Sequence, residues 1–398
     1  MSKKSARLSL IFSSFGHTYA HLFAPIFFVV ALALESEMGL SHGEVVSLIV
    51  AGNVLYGVGA PFAGWISDKW NATGMMSVYF IGMGLAMMLT GFATSPVMLA
   101  LFLALTGLFG SIYHPVGIAW LVRNAVNRGT ALGINGVFGT IGPSVAALSA
   151  GILTDMISWR AAFIVPGGVI LLTGIMFILM IRRGEITEIK QDMSPQPPVA
   201  RSEIIRTIMV LSITMLCTGM IYQATSPAVP KMLSLRLDGL FADGIMGVSV
   251  MVAMVYIVAG GFQIIAGRLC DIYPLKLVYI LSFIAQIPVM LLAASMGGTG
   301  LLVVVIFMVA ANQASLPAEN SLVARYAPAQ WRGLAFGLKF ILAFGVSGLA
   351  VLMEAAIFES TGEFFWLFVT LASIATVGFA TAFLLPAEKP KEILQPAE

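Results

Sequence analysis

Long apolar runs broken by short charged turns account for nearly the whole chain. Twelve such runs lie near residues 8–34, 45–66, 75–93, 97–122, 130–153, 161–181, 207–229, 247–266, 277–294, 301–324, 333–357 and 364–385, numbered here as spans 1 to 12. Each is long enough to cross a hydrocarbon core of about 30 Å as a helix. None alternates with the period of two that a membrane barrel strand requires, so every backbone group must find its partner within a helix. The pattern predicts an all-α integral membrane protein of twelve transmembrane helices in two pseudo-symmetric six-helix bundles.

The halves are legible as a repeat. A glycine followed four residues later by an aspartate closes span 2 as Gly64-Trp65-Ile66-Ser67-Asp68-Lys69 and span 8 as Gly267-Arg268-Leu269-Cys270-Asp271, about 203 residues on. Arg123 ends span 4 and Arg128-Gly129 opens span 5; Arg325 and Arg332-Gly333 do the same in the second copy. Parallel repeats of this kind build many secondary transporters. The stretch 185–204 carries Pro195, Pro197 and Pro198 among scattered charges and reads as a flexible linker between an N-terminal bundle, 1–184, and a C-terminal bundle, 205–398.

Composition removes the other classes. Of 398 residues 59% are hydrophobic and only 10% charged, with a mean hydropathy of +0.96, where soluble domains carry about 25% charged residues. Cations concentrate in alternate connections (Lys3, Lys4, Arg7, Lys69, Arg123, Arg128, Arg182, Arg183, Lys190, Arg201, Arg206, Arg268, Lys276, Arg325, Arg332, Lys389, Lys391), leaving Arg160, Lys231 and Arg236 on the other side. Positive charge stays inside, which places both termini in the cytoplasm of a multi-pass protein of the cytoplasmic (inner) membrane. The net charge of +2 belongs to those loops and gives no reason to expect nucleic acid as a partner. The start from Ser2 to Arg7 looks like a secretory signal, but the run continues to Leu34 and reads as a retained first span. Cys217 and Cys270 show neither disulfide nor zinc spacing, no cofactor motif is present, and no GxxxxGK[ST] loop supplies nucleotide energy.

Twelve spans in two halves with the repeated Gly-x-x-x-Asp loops resemble the major facilitator superfamily over essentially the whole chain. The first loop of that family continues with a glycine and two cations, where Asn71, Ala72 and Thr73 stand here. GVFGTIGPSVAALSAG in span 5 is similar to the antiporter motif with fewer glycines, and Leu103 occupies the place of the span 4 arginine of proton-coupled exporters. Gly107 to Arg123, reading GLFGSIYHPVGIAWLVR, is similar to the fosmidomycin-resistance-type branch. The resemblance implies a monomeric major facilitator-like transporter of small organic solutes, import or efflux, driven by a gradient such as that of protons. It also implies gating roles for Asp68, Lys69, Arg123, Asp271 and Arg325, which could otherwise be solvated helix ends.

Ionisable groups inside the spans are expensive in lipid and usually face a cavity. Span 1 carries His17 and His21 one turn apart, and span 4 carries His114. Counting about 1.5 Å per residue, His17 lies about 14 Å and His114 about 12 Å from the cytoplasmic end, level with one another if both spans line the cavity that the resemblance implies. Three of the four histidines there suit substrate or proton contact. Hydrogen bonds to backbone, Ser13, Thr18 or Ser111 would make them structural, and their spacing with 23 Met also admits transition-metal transport.

Span 10 carries Asn312, Gln313, Glu319 and Asn320, with Asn312/Glu319 and Gln313/Asn320 seven apart on one face. Lys339 in span 11 lies seven beyond Arg332, as Asn135 lies seven beyond Arg128, so the two are equivalent positions of the repeat. Glu319 and Lys339 sit about 8 and 9 Å from their helix ends and pair if the spans are neighbours. The pair is either a buried brace or a site for an anion or a proton. Asn53, Tyr56, Tyr222 and Gln223 are further polar residues that could touch a substrate or join helices. Glu354 is expected to reach the outer interface. Gly107, Gly110, Gly133, Gly136, Gly139 and Gly142 are expected to let helices approach. The best reading is a secondary transporter that takes a small molecule, with protons and the bilayer as its other partners. A non-transporting membrane sensor or assembly factor on the same scaffold is the runner-up. An enzyme is disfavoured, because no nucleophile, base and orienting group assemble from these spans.

Overall fold

The computed structural model describes residues 3–187, 201–237, 240–241, 243–327 and 332–387, the side chains of residues 128, 129 and 332–334 excepted. Most of the 185–204 connection, with Lys190, lies outside the described residues, as do Lys389, Lys391 and the Arg128 and Arg332 side chains. Twelve helices long and apolar enough to span a membrane are present: Lys3–Met38, His42–Lys69, Ala72–Gly91, Pro96–Asn124, Thr130–Met156, Ala161–Arg182, Arg201–Arg236, Gly244–Ile272, Leu275–Ser295, Gly300–Tyr326, Ala335–Thr361 and Phe365–Ala382. They are the twelve spans expected, and no strand occurs among the described residues. Val97, Leu101, Leu172, Met176, Ile265 and Leu281 are each more than half exposed, which suits a lipid-facing belt.

Turn chemistry sets the helix ends. Ser41 and Glu44 form a reciprocal capping box at the start of span 2. Gly39 and Gly362 take the left-handed conformation that ends a helix, with φ of 63° and 70°. Asn71, the departure from the family loop, caps span 3 by accepting the Gly74 amide at 2.5 Å.

Spans 1, 4 and 10 are interrupted near mid-membrane, and in each a proline lies close by. A proline cannot donate to the carbonyl four residues back and its ring collides with it. Pro25 thus accompanies the turn at His21-Leu22, Pro115 the π turn Tyr113–Gly117, and Pro317 the break at Ala314. Span 11 carries a further π turn, Ile341–Val346, without a proline. Interrupted helices in lipid are tolerated where they are buried in protein or line a cavity.

Span 3 packs on span 6 and span 9 on span 12 within their own halves, whereas spans 5 and 8, 2 and 11, and 1 and 7 meet between the halves. Spans 5 and 8 touch at the face away from the termini: Asp155 Oδ2 accepts the Met246 amide at 2.7 Å, and a Cβ on Gly151 would fall 2.0 Å from Ser249 Oγ. Nearer the termini, Gly133 and Gly136 have open space around them, contrary to the close approach expected of them, while Gly139 and Gly142 press on the rings and backbone of span 1.

A central cavity between the halves

The three histidines of spans 1 and 4 converge. Ring centroids are 5.2 Å apart for His17 and His21, and 5.3 Å from each to His114. The turn at His21-Leu22 and the π turn at Tyr113–Gly117 present these rings toward one another. Asn135 orders the group: its backbone carbonyl accepts from His17 Nδ1 at 2.8 Å, and its amide donates to Tyr113 Oη at 2.9 Å and Ser13 Oγ at 3.2 Å. Holding the proton of His17 on Nδ1 leaves Nε2 free for a ligand or a proton. Tyr113, which the sequence reading passed over, stacks on His17 with centroids 5.1 Å apart.

Beside the histidines a small cavity is lined by His21, Asn53, Tyr56, Tyr222, Gln223 and Phe344, drawn from both halves. Asn53 Nδ2, Gln223 Nε2 and His114 Nε2 are buried without a hydrogen-bond partner. Orphaned polar atoms of this kind are costly to leave unmade, and two of them, on Asn53 and Gln223, belong to residues that line this one space and point to a ligand there. Span 11 closes the cavity from below: Phe344 packs on Tyr56 at 5.2 Å, and Phe340 stacks on His114 at 5.0 Å.

Next to Phe340, Lys339 Nζ lies 2.8 Å from Glu319 Oε1 and donates to Asn320 Oδ1 at 2.5 Å. The two charges are level and buried, as the depth count predicts. Tyr279 of span 9 donates to Glu319 Oε2 at 2.8 Å. The stripe of Asn312 and Glu319 exists but faces its own half, where Asn312 donates to Gln286 Oε1 of span 9 at 3.2 Å and to the Thr218 carbonyl of span 7 at 3.3 Å. Asn312 is therefore bound up within its own half and is not among the residues lining the cavity; Gln313 is half-buried, and Asn320 is exposed.

Of the residues expected to gate, Asp68 and Lys69 are exposed at the end of span 2, as is Asp271 at the end of span 8. Arg123 donates back to the Ala119 carbonyl at 3.3 Å, and the Arg325 guanidinium lies over Tyr326 at 5.7 Å. Glu354 requires correction. It is fully buried and meets His42, the fourth histidine, at 3.0 Å instead of reaching the interface. Depth along span 11 placed it near the end of its helix, but span 2 of the other half covers it there.

The family model for the Major Facilitator Superfamily matches residues 8–261 and 211–398. The chain belongs to that superfamily, a family of transporters of small solutes. Two curated relatives align with part of it: the puromycin resistance protein of Streptomyces alboniger, 31% identical over 36% of this chain and 30% of its own, and a probable sulfoacetate transporter of Cupriavidus necator, 28% identical over 35% and 33%. The aligned segment thus spans about a third of each relative. A bacterial homolog of the human lysosomal transporter Spinster, solved inward-facing and unoccupied, superimposes with a TM-score of 0.72 over 97% of this chain and 95% of its own, at 16% identity.

Proposed function

We propose that this protein is a secondary active transporter of a small organic solute, working by alternating access around the cavity between its halves and coupled to protons through the histidine group. The observation that carries this reading is the pair of unpartnered amide nitrogens on Asn53 and Gln223, one from each half, on residues that line one space beside the histidines. As nitrogen donors they suit a solute bearing acceptor oxygens, such as a carboxylate or a sulfonate. Contacts between spans 5 and 8 at the face away from the termini, and between spans 2 and 11 below the cavity, put the halves in the relation that a rocking carrier needs. It acts as a monomer in the inner membrane.

In proteoliposomes with an imposed pH gradient, solute flux should follow the gradient, and His17→Gln, His21→Gln or His114→Gln should flatten its pH profile, since each removes a titrating group. If each single variant and the triple variant keep the wild-type profile, the histidines pack and coupling lies elsewhere. A second reading rests on geometry. Candidate ligand atoms of the three side chains lie within 4.8 Å of one another, a donor set suited to a late transition-metal ion as cargo. Tight zinc binding by the purified protein, lost in every single variant, would replace the proton reading with that one.

The cation bias puts the termini in the cytoplasm. Cysteines placed at Leu40 and Leu237 should react with an impermeant reagent in sealed cells, and one at Gln196 only after permeabilisation. Labelling of Gln196 from outside would invert the topology.

A further inference from the structure

Five ionisable side chains from four spans meet where the halves close, on the face away from the termini, and none of them lines the central cavity. Glu35 belongs to span 1, His42 to the first turn of span 2, Lys231 to span 7, and Glu354 and Glu359 to span 11. His42 Nδ1 lies 2.9 Å from Glu35 Oε1 and His42 Nε2 lies 3.0 Å from Glu354 Oε1. The imidazole is therefore gripped at both nitrogens by carboxylates from opposite halves. Glu35 is also paired with Lys231, and Glu359 Oε1 accepts the Gly43 amide at 2.8 Å. Phe358 covers the ring, with centroids 5.0 Å apart.

A neutral imidazole has one N–H and can donate to only one of two carboxylates. Both contacts are made only when one further proton is present, on the ring or on Glu354. Charge balance requires the same proton: Glu35 and Lys231 neutralise each other, leaving Glu354 to His42. Glu354 is 0% exposed and its Oε2 has no partner, a position where an uncompensated carboxylate is very costly. The remaining charged groups nearby are engaged elsewhere. Glu44, on the helix of His42, turns back to accept the Ser41 amide at 2.8 Å; Glu37 of span 1 accepts from Trp159 at 2.8 Å; Arg236 of span 7 donates to the Ala293 and Met296 carbonyls.

We propose that His42 and Glu354 form a proton-binding site that locks this face, taking up one proton as the halves close and releasing it to the solution on that side as they part. This site stands apart from the central histidines and does not depend on their role. In the parted state His42 meets water and titrates near about 6.5. Between that pH and the higher one at which the closed form itself gives up the proton, the closed form holds one proton more than the open form. The ratio of closed to open should therefore fall about tenfold for each pH unit across that window, and level off below about 6.5, where both forms are protonated.

Spin labels at two exposed positions across the seam, Ser36 and Ser360, on a background with Cys217 and Cys270 replaced by serine, report the two states as short and long separations by pulsed electron resonance. The full chain reconstituted in lipid should show the long separation growing between pH 6.5 and 8.5 with about that slope. His42→Gln and Glu354→Gln should each give a population that no longer responds to pH, and the second variant answers if the first does not fold. The triple variant at His17, His21 and His114 should keep the slope, which separates this site from the central one. A wild-type population that ignores pH, or a slope that survives in a folded His42 or Glu354 variant, overturns the proposal.

Discussion

Glu319→Gln or Lys339→Met alone should lower the stability of the detergent-solubilised protein by about 3–5 kcal/mol, because each strands the other charge inside the bundle. The double variant should recover most of that loss, since removing both charges removes the burden along with the bond. The magnitude follows from burial: the carboxylate is 1% exposed, the ammonium sits 2.8 Å away, and Tyr279 and Asn320 complete the set. Chemical denaturation of the four proteins measures the coupling, and transport by the double variant assigns the pair. Stability without transport means that the charges act in the cycle; recovery of both means a brace between spans 10 and 11. Single variants as stable as the wild type would show that the two residues are not partners.

Gly107→Val should have the other large effect, loss of folded protein. A Cβ at Gly107 would lie 2.0 Å from the Gly52 carbonyl oxygen, and one at Gly52 would lie 2.6 Å from that of Leu103. Spans 2 and 4 are thus in backbone contact, and no rotamer change relieves the collision. Ordinary overpacking costs about 1–3 kcal/mol, and a backbone collision exceeds what side chains can absorb. Separating the two helices would also displace Tyr56 from His114 and shift Asn53 at the cavity, so any folded fraction should bind solute poorly. Gly133→Ala is the control, because nothing lies within 4 Å of that position and a helix interior gains about 0.5–1 kcal/mol from the exchange. Size-exclusion recovery and thermal unfolding decide the matter. A Gly107→Val protein that elutes and melts like the wild type would mean that spans 2 and 4 do not touch there.

Much of the central site was legible because lipid limits the alternatives. A charge or an imidazole deep in an apolar helix must turn inward, and a rise of about 1.5 Å per residue gives its depth, so levels can be matched between helices whose packing is unknown. That reasoning brought His17 to the level of His114 and Glu319 to that of Lys339. It could not say which way Asn312 turned, since a face seven residues long is equally a face toward span 9. Tyr113 carried a weak signal as the aromatic beside His114, but its bond to Asn135 crosses 22 positions and depends on the π turn.

The seam at the far face was invisible by the same method. His42, Glu35 and Glu354 lie near helix ends, where depth alone assigns a side chain to water, and the partners are as many as 312 residues apart. Only the meeting of the two halves buries them. By itself the sequence determined the twelve spans and the levels at which the deep charges sit, because each follows from the cost of leaving one helix's polar groups in hydrocarbon. The tertiary structure decided which glycines touch, where the interrupted helices open a cavity, and which terminal charges are withdrawn from water. Those outcomes depend on what a neighbouring helix places at the same point, and no single segment contains that information.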